Sequence, residues 1–173
     1  GSDNVAIGIN SLKNLTTGGK NVAVGGESLI ANTTGYNNTA VGYRALYSNT
    51  GGTYNTAVGY ESQKNLIVSS DDTGKGHNTS LGYQALMGAS SGTRTGDQNT
   101  AIGSGALQSI TTGTNNTGIG VWALKETTTG TKNVGVGNYS LRYNTTGEYN
   151  VAIGDSALFL NTDKSNNIAI GKE

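Results

Sequence analysis

Acid–base chemistry needs paired titratable groups, and one stretch of this chain supplies the types. His77 is the single histidine, with Asp71 and Asp72 shortly before it and Asp97 and Glu61 in the neighbouring segments. An imidazole beside a carboxylate can move a proton, and two carboxylates about 5 to 9 Å apart across a cleft can cleave a glycosidic bond. Clustered aspartates can also hold a hard cation. Against this stands the chain's poverty in other reactive groups. Cysteine is absent, and no nucleophile elbow, phosphate loop or zinc-ligand spacing occurs. His77 also occupies a variable site filled elsewhere by Lys20, Asn37, Tyr54, Gln98 and Lys132, which reads as tolerated surface. The expectation is therefore no catalytic residue, no cofactor and no metal site, with a polysaccharide depolymerase as the enzyme alternative.

The elements that would position these groups are repeats. A segment Asn-(Val/Thr/Ile)-(Ala/Ser/Gly)-(Val/Ile/Leu)-Gly begins at Asn4, Asn21, Asn38, Asn55, Asn78, Asn99, Asn116, Asn133, Asn150 and Asn167. The starts lie 17 residues apart except for intervals of 23 after Asn55 and 21 after Asn78. Units this small bury no core alone, so they must stack as turns of a coil. The expected organisation is a lead-in over residues 1–3, whose Gly-Ser reads as an expression remnant of a fragment, and one repeat domain over 4–173. Insertions fall in the 55–77 and 78–98 repeats.

Within one unit the motif reads as a short strand. The aliphatic series Ile7, Val24, Val41 through Ile170 is expected to form the inner ladder, and the small series Ala6, Ala23, Ala40 through Ala169 a close contact between chains; a wider monomeric β-helix with the alanine face turned inward is the alternative. A second segment with a small-Leu pair, such as Ala45-Leu46, is read as a second strand and the other wall of the core. Asn-Thr-Thr-Gly or a relative supplies the turn, as at Asn32 to Gly35. The leading asparagines are expected to stack as a hydrogen-bonded ladder.

Charge is balanced at 11 basic and 11 acidic residues and scattered, which argues against a nucleic-acid groove or an anionic-membrane surface. No apolar run reaches the length of a membrane span, so no membrane insertion by this segment is expected.

Asn4-Val-Ala-Ile-Gly8, Asn21-Val-Ala-Val-Gly25 and Asn150-Val-Ala-Ile-Gly154 resemble the head repeats of trimeric autotransporter adhesins, the YadA-like heads. The longer Asn38-Thr-Ala-Val-Gly-Tyr-Arg-Ala-Leu46 resembles repeats of phage tail fibres and related trimeric bacterial surface fibres. The resemblance implies an all-β, left-handed parallel β-roll of about ten turns, three chains side by side as a homotrimer, and an extracellular place on a cell surface or virion. It implies a structural and receptor-binding segment that contacts a surface polysaccharide or glycan, or a pure spacer. The family repeat is commonly nearer 14 residues, so the outer loop here should be longer.

Ligand contacts are expected where the repeat is irregular or aromatic. The two insertions bring Asp71, Asp72, His77, Arg94 and Asp97, and the aromatic ladders bring Tyr83 and Trp122. Threonines recur at Thr39, Thr56, Thr79, Thr100 and Thr117, so an ice-binding solenoid is a further alternative. The expected inward direction of that ladder counts against it.

Overall fold

The computed structural model describes residues 1–65, 76–90 and 95–172. Each motif forms one three-residue strand: β1 (Val5–Ile7), β2 (Val22–Val24), β3 (Thr39–Val41), β4 (Thr56–Val58), β5 (Thr79–Leu81), β6 (Thr100–Ile102), β7 (Thr117–Ile119), β8 (Val134–Val136), β9 (Val151–Ile153) and β10 (Ile168–Ile170). They make a single parallel sheet in chain order. Equivalent positions lie opposite one another throughout, as in Ala6 with Ala23 and Ala40 with Ala57. The register survives the longer intervals, since Ala57 faces Ser80 and Ser80 faces Ala101. The chain is thus an all-β parallel β-solenoid, as its repeats imply.

The return path differs from expectation. The small-Leu segment is a run of turns, with no second strand among the described residues. Its backbone explains this, because Arg44 and Leu46 have φ of 55° and 53°, and Tyr54 before the next motif has φ of 58°. The same three positions repeat around the rod, at Trp122, Leu124 and Lys132 for example. Left-handed residues cannot continue an extended ladder, and each costs a non-glycine residue about 1 to 2 kcal/mol. A single coil is therefore locally unfavourable and exists through its neighbours.

The faces of the strand are the reverse of the expected ones. Ala23, Ala40, Ala57, Ala101 and Ala152 are fully buried inside the coil, against Leu29, Leu46, Leu86, Leu107, Leu124 and Leu141. The flanking Val, Ile, Leu and Thr side chains point outward, with patterns such as half-buried, buried, half-buried in β3 and exposed, buried, exposed in β5. The reason is thickness. A flattened coil leaves room for one large side chain between its walls, and leucine from the turn segment takes it. At Gly118, a Cβ would already stand 3.4 Å from Leu107 Cγ and 3.2 Å from the Ala123 carbonyl oxygen. The glycine that closes the motif is equally constrained. Gly25 has φ of 130°, and a Cβ there would meet the Gly42 carbonyl oxygen at 2.6 Å.

The leading asparagines carry the stacking. The Asn38 main-chain N–H and Nδ2 both donate to Asn21 Oδ1, at 3.0 and 3.1 Å, and Nδ2 also donates to the Gly52 carbonyl at 2.8 Å. The same set recurs at Asn116, Asn133 and Asn150. One amide thus joins its coil to the coil before it and closes its own coil across the turn.

One coil breaks the apolar column. Gln63 stands in the leucine position, buried, with Nε2 donating to Asn55 Oδ1 and Oε1 accepting from Ser80 Oγ. Ser62 and Ser80 hydroxyls pair at 2.6 Å. The buried apolar residues accordingly form two clusters, one from Leu12 to Ala57 and the other from Ala85 to Ala157.

Replacing Asn116 with alanine leaves two donors of Asn133 and the Gly130 carbonyl without partners, and should lower unfolding free energy in urea by about 2 to 4 kcal/mol. The same change at exposed Asn14 should stay within about 0.5 kcal/mol. The pair Gln63→Leu with Ser80→Ala, which restores the residue types of other coils, should raise stability by about 1 to 3 kcal/mol.

Candidate functional site

Ten strands standing in register turn two columns of side chains outward. The column at the second motif position runs Val5, Val22, Thr39, Thr56, Thr79, Thr100, Thr117, Val134, Val151 and Ile168. The column at the fourth position runs Ile7, Val24, Val41, Val58, Leu81, Ile102, Ile119, Val136, Ile153 and Ile170. Leu81 is 49% exposed and Ile119 36%. No charged side chain stands in either column. At about 4.8 Å per strand the face is about 43 Å long, and its two columns make it about 10 Å wide. That is about 400 Å² of contiguous uncharged surface, the size of the largest patch on an ordinary monomer, which is often functional.

Aromatic residues flank this face at mid-rod. On one side Tyr43, Tyr60 and Tyr83 stack, with ring centroids 5.6 and 5.4 Å apart. On the other, His77 stacks on Tyr54 at 5.1 Å. Stacked rings use their faces on one another, and Arg44 lies 4.9 Å over the Tyr43 ring. What they offer outward is edges and hydroxyls, so they tie coils together more than they receive a sugar ring.

Trp122 lies on the turn side of the rod and is similarly occupied. The Arg142 guanidinium sits 4.5 Å over its ring and Lys125 Nζ 5.0 Å, while Tyr139 meets it edge-on. A Cβ on Gly105 would touch Trp122 Cδ1 at 2.6 Å, so the indole lies flat on the preceding coil. Arg142 further packs against Tyr143 and Phe159. The cluster is a cation–π staple across three coils.

The remaining expected ligand residues do not converge. Asp71, Asp72 and Arg94 lie outside the described residues. Asp97 Oδ1 accepts from the Gly76 main-chain N–H at 3.0 Å, on the coil after His77. Tyr83 lies beyond the other end of β5 from His77, with the whole strand between them. Glu61 stands apart on the turn side, bound to Lys64 Nζ at 2.6 Å and Gln84 Nε2 at 2.9 Å. Among the described residues no group of three His, Cys, Asp or Glu side chains could hold a metal ion, and no helix is long and apolar enough to cross a membrane.

The outward aliphatic face is the feature that sequence reasoning placed wrongly. A signal for it existed. Threonine alternates freely with valine at the second motif position, as a wetted or self-pairing surface allows, whereas the third position never exceeds alanine or serine in size. The inference that the Thr39 to Thr117 ladder is core is likewise corrected, since Thr56 and Thr79 are exposed.

No family model, curated protein or solved structure matches the chain.

Burial pushes the Glu61 carboxyl upward, but hydrogen bonds from Lys64 and Gln84, with the charges of Lys64 and Arg44, outweigh it and hold the group below its ordinary value. Its ionised form is thus favoured by folding. The resulting stability is present above the unfolded carboxylate's range and is lost as pH falls through the lower folded value. In thermal melts between about pH 5 and about pH 3, Glu61→Gln should flatten the fall of the midpoint relative to the parent chain.

Proposed function

We propose that this chain is a structural rod segment of an extracellular fibre, formed by three copies that pack side by side through the outward Val/Ile/Thr face. The observation that carries the reading is that face: flat, uncharged, about 43 Å long, and built from residues that a solvated surface does not need. Closed cyclic symmetry about an axis along the rod would bury it in every copy at once. The resemblance of Asn4 to Gly8 and of Asn38 to Leu46 to adhesin heads and tail-fibre repeats supports the same architecture, with a left-handed roll and a place on a cell surface or virion. The small alanine column belongs to each copy's own core, so the chain-to-chain contact is assigned to the opposite face of the strand.

Within that reading a spacer role is favoured over direct glycan contact, and no catalytic step is assigned. Most of the described rings pack against rings or cations of neighbouring coils, and His77, Asp97, Tyr83 and Trp122 do not share one pocket. A second reading takes the same face as an ice-binding surface, favoured by the exposure of Thr56 and Thr79 on an in-register sheet.

Sedimentation at micromolar concentration should show a trimer. The pair Val41→Lys and Ile102→Lys should give a folded monomer with unchanged β circular dichroism. Ala40→Leu should instead lower stability by about 1 to 3 kcal/mol through overpacking of the coil. A parent chain that is monomeric would overturn the trimer, and thermal hysteresis of that monomer would select the ice-binding reading.

A further inference from the structure

A face made of identical repeats has a defect as an association surface: it does not define its own register. Sliding one copy along another by a whole coil, about 4.8 Å, sets aliphatic residue again on aliphatic residue throughout the fourth-position column, with only small changes of shape. Something must break that degeneracy for copies to meet flush.

The break lies in the second-position column. Five consecutive coils carry threonine there, Thr39, Thr56, Thr79, Thr100 and Thr117, paired one on the next through the sheet. Val22 precedes the band and Val134 follows it, so the column is aliphatic at both ends and hydroxylated in the middle. The fourth-position column has no polar residue at all.

These hydroxyls differ in one respect from those of five turn threonines. In the turns, Thr16, Thr33, Thr111, Thr128 and Thr145 each donate the hydroxyl to a carbonyl of the following coil. Those side chains are consumed by the fold. No hydrogen bond to the hydroxyls of Thr39, Thr56, Thr79, Thr100 or Thr117 is made by the described residues. The fold has no use for them, and they point out of a face that carries no charge.

Building on the side-by-side association proposed above, we infer that the threonine band fixes the axial register of the copies. Flush packing sets band against band, where each hydroxyl finds a hydroxyl of a second copy as donor or acceptor. A slip by one coil drives a threonine of each copy against valine, away from water and without a partner, at each end of the band. A buried polar group that is satisfied in one alignment only is a register device, as a single buried asparagine is in a coiled coil. The occupant is a second copy of this chain, because only the same sequence repeats the pattern of two apolar coils, five hydroxylated coils and three apolar coils.

The chain has no cysteine, so one introduced at exposed Asp155 gives a unique spin-label site. Pulsed dipolar spectroscopy on the labelled parent chain should return one narrow inter-copy distance. Changing all five threonines to valine should keep the copies associated in sedimentation but spread that distance into several populations, offset along the axis by steps of about 4.8 Å. Changing all five to serine should keep the single distance. A further variant moves the band by one coil, with Thr39→Val and Val134→Thr. Alone it should associate flush, and mixed with the parent chain it should pair with an offset of one coil. A single unchanged distance in the all-valine variant, or no offset in the mixture, would overturn the inference while leaving association intact. A monomeric parent chain would instead remove the association on which it rests.

Discussion

Every coil of this rod is held by an amide that belongs to its neighbour. The leading asparagine donates its main-chain N–H to the Oδ1 of the asparagine before it, accepts at its own Oδ1 from the one after, and closes its loop by donating Nδ2 to a turn carbonyl. Buried amides in such a chain have no freedom to shift by one residue, since a displaced coil would leave several polar groups unpaired at once. The register of the sheet, the inward alanines and the outward valines all follow from that alignment. It also explains how the coils that begin at Asn55 and Asn78 absorb longer intervals. Asn78 still donates to Asn55 Oδ1 and Asn99 to Asn78 Oδ1, so the ladder continues across both intervals.

The ladder was legible in the sequence because it is periodic, and so were the strand, the stacking and the parallel order. What the sequence hid was direction. Alternation within Thr39-Ala-Val41 says that two faces differ but not which one is inside. Bulk is the usual guide, and here it misleads. The large residue that fills the core comes from the other wall, at Leu46, and leaves room for nothing beyond alanine opposite. The leucine's own conformation was hidden too. Leu12, Leu29, Leu46 and their successors have φ near 50°, in a region that leucine seldom occupies. Propensity reasoning reads an Ala-Leu pair as regular structure, whereas stacking forces it into a tight corner.

The site candidates divide along the same line. Aromatic identity marked Tyr83 and Trp122 as distinctive, and the structure shows them so, but as fasteners. Tyr60 covers one face of Tyr83 and Arg142 covers Trp122, and no residue in isolation announces that its ring is already engaged. The outward Val/Ile/Thr face was written in plain view and assigned to the interior. Five threonines in one column were the hint, since a hydroxyl repeated at a core position would require five buried partners that the neighbouring small residues could not supply.

The polar layer around Gln63 gives the rod a mechanical character. The apolar columns on either side of it do not merge, so across this level the interior is joined only by main-chain bonds, the Asn55–Asn78 amide and a few hydroxyls, with the Tyr60–Tyr83 stack and the Gln84–Glu61 bond outside it. Tension along the axis would part the stack where the least apolar surface must be wetted, and among interior levels that is the one between β4 and β5. Each half would keep its own dry interior after such a break. The rod would yield there in a discrete step and heal by re-seating a single coil, behaving as two stiff segments with a built-in fuse.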